Sequence, residues 1–324
     1  MKKRLAAVFL SMAVVVSILG GCGKKNAAGG GGVKIYYAAI ESGDYYEGWA
    51  SQLQEQAEKS GAEFSVGYAE KSVETQDAQI KSAVSEGCNV FLCGLVSADI
   101  ATEIKAAAED VPIVFINQAP DEGQLEKDHY VYVASDEFMA GQYQAEYILE
   151  KLGDKDEINV AILKGPKGAS GAVGRTNGLK QTLKASGKKV NYVFEDNADW
   201  SADTAKEMMG MLLKTGRTVD CVAANNDDMA CGAVTAFEEA GVDLDSVLFL
   251  GVDASEVGRQ SIADGKMDFT VYQPMSGQIS VAVEAAQKLA EGKSIEDMDG
   301  ASEDGKYILL PFEKVDAGNV EQYM

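Results

Sequence analysis

The stretch VDCVAANNDDMACGAVTAFEEAG, residues 219–241, decides how the chain is read. An apolar run ends at Ala224 and gives way at once to Asn225, Asn226, Asp227 and Asp228. Apolar residues then recur at helical spacing, so a buried strand passes into a helix through four small polar side chains. Such a junction could ligate a metal, pair two acids, cap the helix or grip a ligand. A glycosidase acid pair needs two carboxyl groups roughly 5–10 Å apart across a scissile bond. Adjacent residues on one turn do not provide that separation. Asp227 or Asp228 is expected to cap the helix that begins near Met229.

The same strand-then-helix alternation extends in both directions. Apolar runs include VKIYYAAI (33–40), VFLCGL (90–95), PIVFIN (112–117), NVAIL (159–163), VLFLGVD (247–253) and FTVYQ (269–273). Between them lie helical patterns such as GWASQLQEQAEKSG (48–61), DEFMAGQYQAEYILEKLG (136–153) and GQISVAVEAAQKLAEG (277–292). Strands of this kind alternating with helices of 10–18 residues predict an α/β protein with parallel sheets covered on both faces. Gly61, Gly153, Gly187, Gly241 and Gly292 stand where helix C-caps belong. The glycines at 165, 168, 171, 174 and 178 resemble a phosphate cradle only superficially. No GK[ST] follows, and no GxGxxG falls at the strand–helix turn.

Bulk properties narrow the function. The chain has 324 residues, 46% hydrophobic and 25% charged, more than a single core usually occupies. Its formal charge of −22 argues against a nucleic-acid partner, which needs a basic face. The single histidine, His129, leaves little material for histidine metal sites or Ser/Cys–His catalysis. Residues 1–21 read as a lipoprotein signal peptide. Lys2, Lys3 and Arg4 precede an apolar stretch from Leu5 to Ile18, too short to span a bilayer. Leu19-Gly20-Gly21-Cys22 then looks like a lipobox, with Cys22 the lipidated residue. Removal of residues 1–21 takes away three cations and leaves a charge of −25. Residues 22–32 form a Gly-rich tether. Of the remaining cysteines, Cys88, Cys93, Cys221 and Cys231, none has CxxC spacing. They read as buried free thiols, although an exported chain permits disulfides.

In open parallel sheets, ligands bind beyond the carboxyl ends of the strands. Here those ends carry ESGDYY (41–46), NQAP (117–120), KGPKGASGAVGR (164–175), DNADW (196–200), NNDD (225–228), DAS (253–255) and QP (273–274). Carboxylates, planar amides and an arginine offer fixed forks for adjacent hydroxyls, and aromatic faces cover the C–H face of a sugar. The composition reads as a polyol grip.

On NNDDMACGAV (225–234), GVDAS (251–255), LKGPKGASGAVGRTNGL (163–179), NADW (197–200) and VPIVFINQAP (111–120), the chain resembles the periplasmic sugar-binding proteins of ABC importers, type I fold. The galactose/glucose- and ribose-binding members are the nearest in pattern, and the resemblance covers residues 33–324. It implies two similar doubly wound lobes joined by three hinge crossovers, with the ligand in the cleft between them. The expected lobes are residues 33–134 plus 275–306 and residues 135–274 plus 307–324. Carried over residue by residue, it implies ligand contacts from Asp44, Tyr46, Asn117 and Gln118 of the first lobe, with Tyr45 beside them. The second lobe would contribute Arg175, Trp200, Asn226, Asp253 and, next to a hinge, Gln273, with Asn225 structural. Trp200 and Tyr46 would face opposite sides of the sugar ring.

Departures from the pattern bear on the ligand. Galactose-binding members carry His and Asp in the Gly-rich loop, where this chain has Ala169 and Gly171. Ribose-binding members have Asp-Arg where Asn117-Gln118 stands. The loop LGDKDEIN (152–159) lacks the spaced oxygens of a calcium site. The resemblance thus implies a monosaccharide or small polyol, no metal, no cofactor and no enzymatic step. It also implies a monomer that delivers its ligand to an ABC permease, held at the membrane through Cys22. A sensory subunit for a chemoreceptor or sensor kinase would present the same pocket. A LacI-type repressor shares the fold but would need a DNA-binding head and a basic surface.

Overall fold

The computed structural model describes residues 32–324, so the expected signal peptide, the lipidated Cys22 and nearly all of the tether lie outside the described residues. Gly32–Met324 forms one unit. In chain order its strands and helices begin with β1 (Lys34–Ala39), α1 (Asp44–Lys59), β2 (Glu63–Tyr68), α2 (Val73–Ser85), β3 (Val90–Cys93), α3 (Ala101–Ala107), β4 (Ile113–Ile116) and β5 (Tyr130–Ser135). The second set is α4 (Glu137–Leu152), β6 (Glu157–Lys164), α5 (Ser170–Ala185), β7 (Lys189–Asn197), α6 (Ala202–Lys214), β8 (Cys221–Ala224), α7 (Asp227–Glu239), β9 (Leu248–Leu250), α8 (Glu256–Ala263) and β10 (Phe269–Tyr272). The chain ends with α9 (Met275–Ala290), β11 (Tyr307–Leu310) and β12 (Glu313–Asp316).

Two six-stranded sheets result, in the orders β2-β1-β3-β4-β5-β11 and β7-β6-β8-β9-β10-β12. The fold is therefore α/β, two doubly wound lobes of the same strand order. All strand pairs are parallel except β10–β12. The central strands β3, β4, β5 and β8 are buried along their whole length, as strands with helices on both faces must be. Trp49 and Leu53 of α1 and Ile279 and Val283 of α9 cover one face of the first sheet. Ile80 of α2 and Ile104 of α3 cover the other. In the second sheet α6 and α7 pack on one face, and α4 and α5 on the other. No helix among the described residues is long and apolar enough to cross a membrane.

The chain crosses between lobes at 135–137, 273–275 and 311–312. The third crossing corrects the expected boundary. The expected boundary places residues 307–310 in the second lobe, but β11 pairs with β5 in the first sheet. Only β12 belongs to the second, and Phe312 already packs in its core. Pro311 stands at the change of sheet because it has no N–H with which to continue the β11 ladder. Gly61, Gly187, Gly241 and Gly292 follow their helices with φ of 69–81°, the left-handed cap expected of them. Gly153 instead keeps a right-handed φ of −60°.

Candidate functional site

The crevice at the carboxyl ends of both sheets holds a cavity of about 350 Å³. Nine of the ten expected residues line it: Tyr45, Tyr46, Asn117, Gln118, Arg175, Trp200, Asn226, Asp253 and Gln273. Asp44 does not. It opens α1 as an exposed first-turn residue, and Glu41, two residues after β1, takes the place expected of it at the wall. Glu137 and Asp228 also line the cavity, and the sequence reading gave neither a ligand role. The Gly-rich loop contributes Ala169 and Gly171 to the wall, which bring no polar side chain.

Arg175 organises the second-lobe wall. It is 4% exposed. Its Nε donates to Glu137 Oε2 at 2.6 Å and one terminal nitrogen to Glu137 Oε1 at 3.3 Å, the two-pronged match that guanidinium and carboxylate geometry favour. The other terminal nitrogen donates to the Asn225 carbonyl at 2.6 Å and to Asp253 Oδ1 at 3.3 Å. Glu137 lies in the first turn of α4, where the helix dipole favours a carboxylate, and directly after a crossover. The clamp thus ties a ligand-facing cation to a hinge.

Trp200 reaches the cavity from the turn after β7 in a left-handed conformation, φ 65°. Its ring lies against the backbone of Gly165, where an added Cβ would stand 2.2 Å from the indole. Glycine at 165 is therefore what seats the ring. The Arg175 guanidinium lies 5.9 Å from the ring centre. In the first lobe, the Tyr45 hydroxyl donates to Asn117 Oδ1 at 3.1 Å, leaving the Asn117 amide nitrogen buried without a partner. Asn117 also adopts a left-handed φ of 67°, a conformation asparagine tolerates better than most residues.

The opening stretch now has its physical account. Asn226, not Asp227 or Asp228, caps α7, its Oδ1 accepting from Met229 N at 3.1 Å. That bond directs its unpaired amide nitrogen at the cavity, so one side chain both caps the helix and faces the ligand space. Asn225 braces the floor, its Oδ1 accepting from Gly165 N at 3.2 Å and its Nδ2 donating to Thr176. Asp227, 1% exposed, pins the next strand end. Its carboxyl group accepts from Ser255 N at 2.7 Å, Ser255 Oγ at 3.0 Å and Thr270 Oγ1 at 2.5 Å. This brace holds the turn in which Asp253 and Ala254 take φ of 112° and 46°, costly for residues with a Cβ and sustained only by surroundings that over-determine them.

Burial lifts the Asp227 carboxyl to about 8, with nearby Asp253 adding to the lift and the three donors opposing it. The folded state then holds a proton that the unfolded chain releases near pH 4. The stability from this group is fully present below about pH 4 and is lost as pH rises toward 8. Asp227→Asn should therefore lose less stability than the parent between about pH 5 and 8 in thermal unfolding. Parallel curves for the two proteins would remove Asp227 as the source. Cys88, Cys93, Cys221 and Cys231 are free thiols as expected, but only Cys93 and Cys221 are buried; Cys88 and Cys231 are half-buried.

Two matching sheets joined by three crossovers, with a solute-sized cavity walled by both, define a two-lobed binding protein. The chain belongs to the periplasmic binding protein family, whose domain profile matches residues 35–294. A putative rhizopine-binding protein of Rhizobium meliloti is 29% identical over 266 residues, 81% of this chain and 82% of that one. The ribose import binding protein of Bacillus subtilis is 29% identical over 246 residues, 75% of this chain and 77% of its own length. Among solved structures, an ABC transporter solute binding protein from Bacillus halodurans with bound myo-inositol superposes with a TM-score of 0.78. It is 27% identical, and the match covers 92% of this chain and 99% of that one.

Proposed function

We propose that this chain is an extracytoplasmic solute-binding protein, lipid-anchored through Cys22, that captures a monosaccharide or small cyclic polyol and delivers it to an ABC permease. The observation that carries this reading is the convergence of side chains from both sheets on one cavity: Tyr45, Tyr46, Asn117 and Gln118 face Arg175, Trp200, Asn226 and Asp253. Its volume of about 350 Å³ suits a small ligand. The names of the relatives, which bind ribose or rhizopine, and the myo-inositol in the solved neighbour support a polyhydroxylated ligand.

Capture works by hinge closure. A ligand that bonds to only one lobe stabilises open and closed forms equally, and one that bonds to both shifts the equilibrium to the closed form. The cleft is already bridged by a bond from Ala119 N to Ser170 Oγ at 3.3 Å, so the lobes meet at this edge. The crossovers at 135–137, 273–275 and 311–312 serve as hinges. No bond of the ligand is made or broken.

Two substitutions separate grip from fold. Asn226→Asp keeps an oxygen to cap α7 and removes the amide donor. It should weaken binding about tenfold or more by calorimetry while costing less stability than Asn226→Ala, which also loses the cap, typically about 1 kcal/mol. Trp200→Ala should weaken binding about tenfold through the lost stacking face. Unchanged affinity in both variants would move the ligand away from this wall.

A further inference from the structure

We infer that the ligand carries one positive charge: the cleft is built for an amino sugar or amino-polyol whose ammonium group sits against Asp228 and Asp253. This rests on the polyol-binding reading above and narrows its ligand class.

The charge inventory of the wall leads there. Four carboxylates line the cavity, Glu41, Glu137, Asp228 and Asp253, against one lining cation, Arg175. Glu41 is paired outward with Lys71 at 2.9 Å. Glu137 and Asp253 share the single guanidinium of Arg175. Asp228, whose surface is still partly open to solvent, has no ion pair among the described residues, and its partial burial raises its carboxyl. Counting Lys71 and Arg175, two negative charges remain. The N-termini of α4 and α7, whose first turns hold Glu137 and Asp228, offset about half a charge each. About one negative charge is left over, the complement of a monocation.

The donors of the wall point the same way. Arg175 has spent its Nε–H, both hydrogens of one terminal nitrogen and one of the other on Glu137, Asn225 and Asp253, leaving one hydrogen for a ligand. The remaining donors are amide groups, including that of Asn226, a residue 6% exposed, which makes no hydrogen bond among the described residues, and the buried, unpartnered nitrogen of Asn117. A neutral polyol satisfies these donors through its oxygens. Its hydroxyls donate to the carboxylates only as neutral groups and leave the excess charge in place. An ammonium group supplies three donors and the missing charge together, and charge-assisted bonds of this type are roughly twice as strong as neutral ones. The Asp253 carboxyl reflects the same charge count: desolvation pushes it up although Arg175 pulls it down, with Glu137 and Asp228 adding to the rise. The carboxylates of the wall thus disfavour one another's charge, and a cationic group between them relieves that penalty.

The test compares matched pairs by calorimetry on the full mature chain: glucosamine with glucose, galactosamine with galactose, and an aminodeoxyinositol with myo-inositol. The expected result is an amine bound at least about tenfold more tightly than its hydroxyl parent, with a ratio that falls as salt screens the charge. The ratio should also fall in Asp228→Asn; Glu41→Gln, at the rim and already paired with Lys71, should change it less. Equal or weaker binding of every amine overturns the inference and leaves the polyol reading standing. An amine preference that survives Asp228→Asn undiminished also overturns it. Binding by neither set overturns the inference and the polyol reading together.

Discussion

Arg175→Ala is expected to abolish measurable ligand binding and to lower stability by about 3–5 kcal/mol, the usual cost of breaking a buried ion pair from one side. The loss is large because the guanidinium is shared. Glu137 keeps a mostly buried carboxylate, the Asn225 carbonyl loses its donor, and Asp253 loses the only cation it contacts among the described residues. Arg175→Lys keeps the charge but not the fork, and an ammonium cannot span both Glu137 oxygens and the Asn225 carbonyl. It should therefore recover part of the stability and little of the binding. Chemical denaturation and calorimetry on both variants check this. Near-parental stability in Arg175→Ala would mean that the clamp is not the keystone of the second-lobe wall.

Gly141→Ala should be as damaging although it touches no ligand. A Cβ at 141, in the middle of α4, would stand 1.8 Å from the Arg175 carbonyl oxygen and 2.7 Å from Leu179 N on α5. Both obstacles are backbone, so no side chain can swing away. The helices must separate, and α4 carries Glu137 while α5 carries Arg175. Overpacking of this kind costs about 1–3 kcal/mol and more where backbone is the obstacle. The same separation stretches the 2.6 Å bond between Arg175 Nε and Glu137, so binding should fall together with stability. Added helix propensity from alanine, about 1 kcal/mol, would oppose the loss without reversing it. A stabilised variant would show that α4 and α5 are not in direct backbone contact.

What the sequence made legible follows from the physics of parallel sheets. Strand ends gather at one edge by topology, so reading the residues after each apolar run found Asn117, Trp200, Asn226, Asp253 and Gln273 without knowledge of distances. Glu137 escaped this reading. It follows the strand end by two residues, in a first turn where acids are ordinary, and nothing in the linear pattern links it to an arginine 38 positions away. Asp44 and Glu41 share one short loop, and the residue count alone does not tell which acid turns inward. The helix begins at Asp44 and carries it toward solvent. YILLPFEKV (307–315) carries apolar residues on both sides of Pro311, and the linear pattern does not show that the chain changes sheets there, because both halves bury side chains in a core. The cap at Asn226 was placed one or two residues late for a related reason. Any of three consecutive residues can cap, and the backbone conformation chooses among them.

The central claim is that a small polyhydroxylated ligand is held between the two lobes at this cavity. A thermal-shift panel on residues 23–324 with Cys22 replaced, run against aldohexoses, pentoses, ketoses, inositols and their amino derivatives, tests it most directly. A ligand at 100 times its dissociation constant stabilises the native state by about 2.7 kcal/mol, well above detection. The account predicts a shift confined to one or a few of these compounds and reduced by about half or more in Trp200→Ala and Asn226→Asp, as about tenfold weaker binding requires. A flat response across the whole panel would contradict it.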